Sequence, residues 1–537
     1  MVTETKPWDV GIIHPEERDY GLNLNNENWG ADLNGKRGWQ IERTSTGATK
    51  YLSRIIKVDE EGRTLLPERQ DDDSLLTETI VRFPAAPIYR IHREQEYTYE
   101  ISPRIYYQSM RVLRRPWLGE KPPRAKRIYL FHHGLNEIDR LRFYYQLVNL
   151  LLDQKDQESV CIIRALPAHL MRSPFPGEYS EKPLDRYLAD AGDLLRQFLR
   201  FMLETQWLLS ALVSLPDYRV VSGMDLLVGR RDRTRSRLNP VILADAIYNT
   251  WRVYNANQPA EPSDHEKYVG ASHIRTSIEA LRDLTGWEET PIGEDGRPSD
   301  WKPTVIGQDG PPPTNELPPP AFHAIGYSMG GYLAQSVFFT WPFVVASCTT
   351  IGSGGPLRDV ALTAFAHPQE WQSVMYALRF EIEHAMLHDR LVRSGNDYWG
   401  YLIAGIKEDY YASLDRIFND VFLQDFRGAY SQRVSEYAHR LLFVLGGMDP
   451  VISAPSVLES SPPGGINMIQ IANLSHFPWS DEREWRRFWL PQVATVIGAF
   501  SRRTEEILAE SLNENWDLLK ESQSGVPTEN DYEVISG

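Results

Sequence analysis

Residues 322–332 read FHAIGYSMGGY, and these letters demand an abrupt change of direction. The apolar run AFHAI has the character of a buried strand. The segment MGGYLAQSVFFTW that follows has helical composition and stops at Pro342. Ser328 lies between them, with Gly326 two residues before it and Gly330 two residues after. A chain that turns from strand to helix over one residue crowds the side chains on either side, and glycine removes them. The serine is driven into strained backbone, its hydroxyl is lifted clear, and the N–H groups of the new helix lie beneath it. The five-letter pattern is weak on its own, because a glycine-bounded serine can also serve as a plain helix cap.

The surrounding sequence supplies the context. RIYLFHHGL (127–135), SVCIIRAL (159–166), FVVASCTTIG (343–352), RLLFVLGG (440–447) and INMIQIAN (466–473) are short continuous apolar runs. Helical stretches at 140–154, 186–215 and 274–287 separate them, and a last one follows from Asp481, where Asp481 and Glu484 suit a helix start. This alternation predicts an α/β fold with a mostly parallel central sheet and helices on both faces. The aromatic and β-branched stretch 88–110 reads as early antiparallel strands. Residues 1–87 are polar and read as an N-terminal extension. An insertion spans about 171–265 and is less regular over 216–265. The proline-rich stretch 288–320 reads as an exposed loop, and 357–439 as a helical, aromatic-rich cap. The core is then 88–356 together with 440–520.

Composition narrows the function. A net charge of −16 argues against a nucleic-acid binder, and the one basic run, GRRDRTRSR (229–237), is interrupted by Asp232. Only Cys161 and Cys348 are present, both inside apolar runs, so they read as reduced core thiols. The first twenty residues are polar and acidic, and no stretch has the ~18–20 apolar residues of a membrane span. A cytoplasmic protein without a membrane span is expected. Oligomeric state is not legible.

Four polar loops leave the predicted strand ends, where sites form in such sheets. The first carries Ser328. The second, LGGMDPVIS (445–453), places Asp449 on a short turn. The third, IANLSHFPWS (471–480), carries His476. The fourth, FHHGLNE (131–137), closes a strand with His132, His133 and Gly134, and the glycine allows the N–H of Leu135 to face the top of the sheet. Each has a bland reading: a helix cap, an Asp-Pro turn, a surface histidine, a strand-ending glycine.

Taken together, HHGL, GYSMGG, GGMDPVI and SHFPW resemble the oxyanion loop, nucleophile elbow, acid turn and histidine loop of the α/β-hydrolase fold superfamily, in its Ser, Asp, His order. LPAHLMRS (166–173) resembles a degenerate form of the loop after that family's fourth strand. The resemblance covers roughly 88–170, 266–356 and 440–500. It implies Ser328 as nucleophile, His476 as general base, Asp449 as its partner, and the N–H groups of Met329 and Leu135 as an oxyanion hole. A serine at the elbow disfavours the members that open epoxides or displace halide with a carboxylate.

The expected activity is hydrolysis of a small-molecule carboxylic ester through an acyl-enzyme, a chemistry that requires neither metal nor organic cofactor. A peptidase, an amidase or an acyltransferase would use the same three groups. A ligand-binding module of the same fold, without turnover, is the reading from another class. In the resembled family a cap covers the site at 357–439. Its rings, including Tyr398, Trp399, Tyr401, Tyr410 and Tyr411, favour a bulky apolar or aromatic substrate group or simply pack the cap. Tyr398, Trp399, Tyr327 and His133 are the candidate pocket residues. His384 and His388 stand at i and i+4 but have no obvious third ligand, so no metal site is expected. His323, inside its strand, reads as a packed residue, and Ser353 in GSGG lacks the glycine spacing of an elbow.

Overall fold

A computed structural model describes residues 12–13, 24, 26, 28–68, 74–86, 106–119, 121–134, 141–153, 156–166, 191–213, 240–256, 270–286, 320–342, 344–355, 429–452, 454–459, 461, 465–476 and 485–523. The strands are β1 (Ile12–Ile13), β2 (Gln40–Arg43), β3 (Thr49–Val58), β4 (Thr64–Leu65), β5 (Leu75–Pro84), β6 (Tyr107–Arg114), β7 (Arg127–His132), β8 (Ser159–Arg164), β9 (Ala321–Tyr327), β10 (Val345–Ile351), β11 (Leu441–Gly446) and β12 (Asn467–Ile471). The helices are α1 (Leu141–Leu151), α2 (Ala191–Leu212), α3 (Pro240–Ala256), α4 (Ala271–Leu284), α5 (Met329–Thr340), α6 (Ala429–Tyr437), α7 (Ala454–Glu459) and α8 (Leu490–Gln523).

Among the described residues all twelve strands join one sheet, in the order β1-β4-β3-β5-β6-β8-β7-β9-β10-β11-β12, with β2 on the side of β3. From β8 to β12 every pairing is parallel. From β6 back to β1 every pairing is antiparallel. The fold class expected from the apolar alternation is therefore observed. One core, containing Phe143, Leu147, Val493 and Ile497, packs α1 and α8 on one face of the sheet. The other, containing Phe201, Ile247, Ile278 and Phe338, packs α2 to α5 on the opposite face. The inner strands β7 to β11 are buried nearly throughout, as strands covered on both faces must be. Cys161 and Cys348 lie buried and unpaired in β8 and β10. Among the described residues, no helix is long and apolar enough to cross a membrane.

Three sequence expectations are redrawn. Residues 40–84 are not an appendage, because β2 to β5 extend the sheet. Their charges hide this in the sequence. Arg54 in β3 donates to Glu78 of β5 at 2.8 and 2.6 Å. Arg111 of β6 reaches the same carboxylate at 3.3 Å, and Tyr145 of α1 donates to it as well. Pairing lets charges enter an interior that would otherwise reject them. The early antiparallel strand is Tyr107–Arg114, while 88–105 lie outside the described residues. The stretch read as irregular contains the regular helix α3. Its buried Leu243, Ile247 and Trp251 face the core, and the Trp251 indole donates to the Ala85 carbonyl at 2.9 Å. Residues 357–428, most of the expected cap, lie outside the described residues, as do 288–319 and the expected helix cap at Asp481 and Glu484.

At the amino-terminal ends of the central strands, α8 is held by charge. His323 of β9 lies between Ser347 of β10 (2.8 Å) and Glu505 of α8 (2.9 Å). Arg127 of β7 donates to both oxygens of Glu505, one of them at 2.8 Å. Burial pushes His323 below its ordinary value of 6.5, outweighing the pull of Glu505. Desolvation would raise Glu505, but the bonds from His323 and Arg127 prevail and hold it at about 2. Both folded-state values are depressed, so below pH 6.5 the unfolded chain binds more protons and stability falls with acid. The urea midpoint is expected to be lower at pH 5 than at pH 7. In His323→Gln, which keeps a donor to Glu505 but cannot titrate, that difference shrinks.

Candidate active site

The carboxyl ends of β7, β9, β10, β11 and β12 align, and the loops that leave them meet. Ser328 follows β9 directly and precedes the first residue of α5. Its backbone stands at φ 50° and ψ −123°, a conformation that non-glycine residues rarely adopt. Its N–H donates to Ile351 of β10 at 2.9 Å, which fixes the turn to the neighbouring strand. The glycines are needed for clearance. A Cβ on Gly326 would stand 2.0 Å from the Gly330 carbonyl oxygen, and one on Gly330 would stand 2.0 Å from that of His132. In both cases the obstacle is main chain, which cannot step aside cheaply.

The acid turn is built in the same manner. Gly446 and Gly447 lie against the main chain of Leu474 and Ala472, leaving no room for side chains. Met448 N–H donates to Leu474 O at 3.0 Å, so the acid turn and the histidine loop form one unit. Asp449 Oδ1 accepts the N–H groups of Val451 and Ile452 at 2.8 and 2.9 Å. Its Oδ2 accepts from His476 Nδ1 at 2.8 Å. His476 Nε2 then lies 2.9 Å from Ser328 Oγ. Both Asp449 and His476 side chains are nearly excluded from solvent, while Ser328 and Met329 are half-buried. In this chain of bonds Nδ1 carries the proton, and Nε2 is left to accept from the serine hydroxyl.

Met329 is the first residue of α5, so its N–H is one of those that no helical carbonyl can accept. Leu135, the other expected oxyanion donor, lies outside the described residues. So do Tyr398, Trp399, His384 and His388. Gly134 closes β7 as expected, and its carbonyl accepts from His133 Nδ1 at 2.9 Å. His133 Nε2 in turn accepts the Leu166 N–H at 3.1 Å, so this buried imidazole ties the loop after β7 to the loop after β8. It was expected in the substrate pocket or as an orienter of the loop after β7, and both of these bonds are to main chain.

Tyr327 was expected there too. Its ring is buried and its hydroxyl donates to the His476 carbonyl. His132 is buried edge-on to Phe201 at 5.1 Å, and burial pushes its pKa well down. Ser353 is buried, with its Cβ against Gly331. Gly352 was not singled out in the sequence. At φ +56° it lies beneath the site, where a Cβ would stand 3.8 Å from His476 Nδ1 and 3.9 Å from Asp449 Oδ2. Among the described residues, no group of three or more His, Cys, Asp or Glu side chains could hold a metal ion.

No family model matches this chain, and no curated protein matches it in sequence. Solved structures do. They include an S-formylglutathione hydrolase from Agrobacterium tumefaciens (10% identity, TM-score 0.30, 79% of this chain and 95% of that one). A thermostable esterase from Pseudomonas putida matches at 10% identity and TM-score 0.31, over 84% and 86% of the two chains. A peroxisomal α/β-hydrolase from Saccharomyces cerevisiae matches at 12% identity and TM-score 0.30, over 85% and 98%.

The elbow geometry sets a stability test. Gly330→Ala is expected to cost about 3 kcal/mol or to prevent folding, because the new methyl meets a strand carbonyl. Gly498→Ala, in the middle of α8 with only a flexible arginine tip 3.7 Å away, is expected to be neutral or to stabilise by about 0.5–1 kcal/mol. Urea denaturation of both variants beside the parent chain checks the contrast.

Proposed function

We propose that this chain, which has the α/β-hydrolase fold, is a serine hydrolase that cleaves a carboxylic ester through an acyl-enzyme intermediate. One observation carries the reading: Ser328 Oγ, on a strained turn at the carboxyl edge of the sheet, lies 2.9 Å from an imidazole whose far nitrogen is bonded to Asp449. A serine hydroxyl is a weak nucleophile near neutrality and needs a base within hydrogen-bond reach. His476 Nε2 takes the Oγ proton as oxygen attacks the acyl carbon, and later returns it to the departing alkoxide. Asp449, held by two main-chain N–H groups, keeps Nδ1 protonated and stabilises the imidazolium. The N–H of Met329, the first of α5, is the donor proposed to receive the negative oxygen of the tetrahedral intermediate. Leu135 is the second donor proposed for it, and losing one such donor costs about 10²–10³ in rate. Water then repeats the sequence on the acyl-enzyme.

The strain at Ser328 supports catalysis over mere ligand binding. A cap residue has no need of φ 50°, and a backbone outlier persists where surrounding structure enforces it for function. Ester is favoured over amide because alkoxide leaves more readily than amine. A small-molecule ester with a bulky apolar or aromatic group is the proposed substrate class, on the strength of the ring-rich segment 357–439.

A fluorophosphonate probe is expected to label the intact protein on Ser328, located by peptide mass spectrometry. p-Nitrophenyl esters of increasing chain length should be hydrolysed much faster than aminoacyl-anilides. Ser328→Ala should abolish labelling and lower kcat about 10⁶-fold, and Asp449→Asn about 10⁴-fold. An adduct on another serine, or none, would remove the basis of the proposal. Faster turnover of the anilides would move the reading to a peptidase or amidase.

A further inference from the structure

We infer that Tyr327 is a positioning residue of this site, fixing the place of the His476 imidazole relative to the nucleophile. The inference rests on the serine-hydrolase reading above and adds to it a residue that acts through His476. Tyr327 ends β9 and is the neighbour of Ser328. Its side chain turns away from the elbow and into the interior, where only 2% of its surface remains exposed. The hydroxyl donates to the main-chain carbonyl of His476, 149 residues further along the chain. The ring also lies against the imidazole, with centroids 6.0 Å apart and planes 29° from parallel. Phe143 of α1 backs the tyrosine at 5.9 Å. Gly352 keeps the space beside it clear: a Cβ there would come to 3.3 Å from Tyr327 Cε2.

The geometry addresses a specific difficulty. His476 sits on the loop after β12, the outermost strand, whose residues are only partly buried. Asp449 and Ser328 hold the two ends of the imidazole ring, but neither bond holds the backbone that carries it. The Tyr327 hydroxyl does, and it belongs to the same strand that delivers the nucleophile. Base and nucleophile are thereby referred to one rigid element, so that a small movement of the edge loop does not open the 2.9 Å gap between Nε2 and Oγ. Reaction rates are sensitive to displacements of this size.

The test is Tyr327→Phe, which removes one oxygen and keeps the ring. Against p-nitrophenyl butyrate, kcat is expected to fall about tenfold with KM unchanged, since the loss is of alignment rather than substrate contact. Fluorophosphonate labelling of Ser328 should slow by a similar factor, read on the gel-filtered folded fraction so that partial misfolding does not obscure the rate. In proton NMR, the far-downfield resonance expected in the parent protein for the His476 Nδ1 proton bonded to Asp449 should broaden or vanish in the variant. A merely structural role would lower the melting temperature without moving that resonance or the per-molecule labelling rate, and that result would overturn the inference. So would a variant with parental kcat. If the parent protein itself neither labels at Ser328 nor hydrolyses the ester, the serine-hydrolase reading fails first and this one falls with it.

Discussion

The alignment of strand ends between β7 and β12 is the constraint from which the site follows. His132 pairs with Gly326, Ile351 with Tyr327, Ile351 with Val444, and Gly446 with Ile471. These pairs are the last rungs of their ladders, and each loop of the site departs from one of them. A slip of one residue in β9 would reverse which face each of its side chains occupies and carry Tyr327 out from beside His476. It would also place a side-chain-bearing residue where Gly326 now clears the Gly330 carbonyl. Register is pinned by burial on both faces, and so the site inherits its precision from the core.

The polar half of the sheet obeys a different logic. β3, β5 and β6 bring Arg54, Glu78 and Arg111 into the interior, with Glu78 wholly enclosed. Such a cluster adds little net stability compared with apolar residues of equal volume, but removing one member leaves the others uncompensated. Its placement where strands from residues 49–114 meet α1 makes the early strands dependent on the later fold. These segments are part of the sheet through charges that only the sheet can satisfy.

That dependence explains what could be read in advance. The parallel strands were legible because continuous apolar runs of six or seven residues between helices have few other solutions. Ser328, Asp449 and His476 were legible because each stands in a short polar loop marked by glycine or proline directly after such a run. β3 and β5 were not, since Arg54, Glu78 and Arg82 give 49–84 a surface-like composition and their partners lie on other strands. The helix Pro240–Ala256 follows a basic, irregular stretch that masked its apolar face. The place of Tyr327 was unreadable for a stronger reason: its partner is a main-chain carbonyl, which every residue possesses, so no pattern of letters distinguishes it. The double-glycine turn before Asp449 was visible, yet its need for clearance against Leu474 and Ala472 emerges only when the two loops are brought together.

The described residues contain two serine–histidine–carboxylate arrangements, and the comparison separates chemistry from composition. In one, Ser347, His323 and Glu505 are joined at 2.8 and 2.9 Å. In the other, Ser328, His476 and Asp449 are joined at 2.9 and 2.8 Å. Bond lengths do not tell them apart. Ser347 lies inside β10, 1% exposed, and the arginine-bound carboxylate of its group, Glu505, belongs to a helix clamped on the sheet. No acyl carbon can approach that oxygen without unpacking α8. Ser328 is half-buried on a turn with positive φ, directly after the strand that carries His323 and directly before the first residue of a helix. A hydroxyl becomes a nucleophile only where a base, an approach path and a receptor for the developing charge coincide, and the sharp turn after β9 is what brings an imidazole and the start of a helix to one hydroxyl in this sheet.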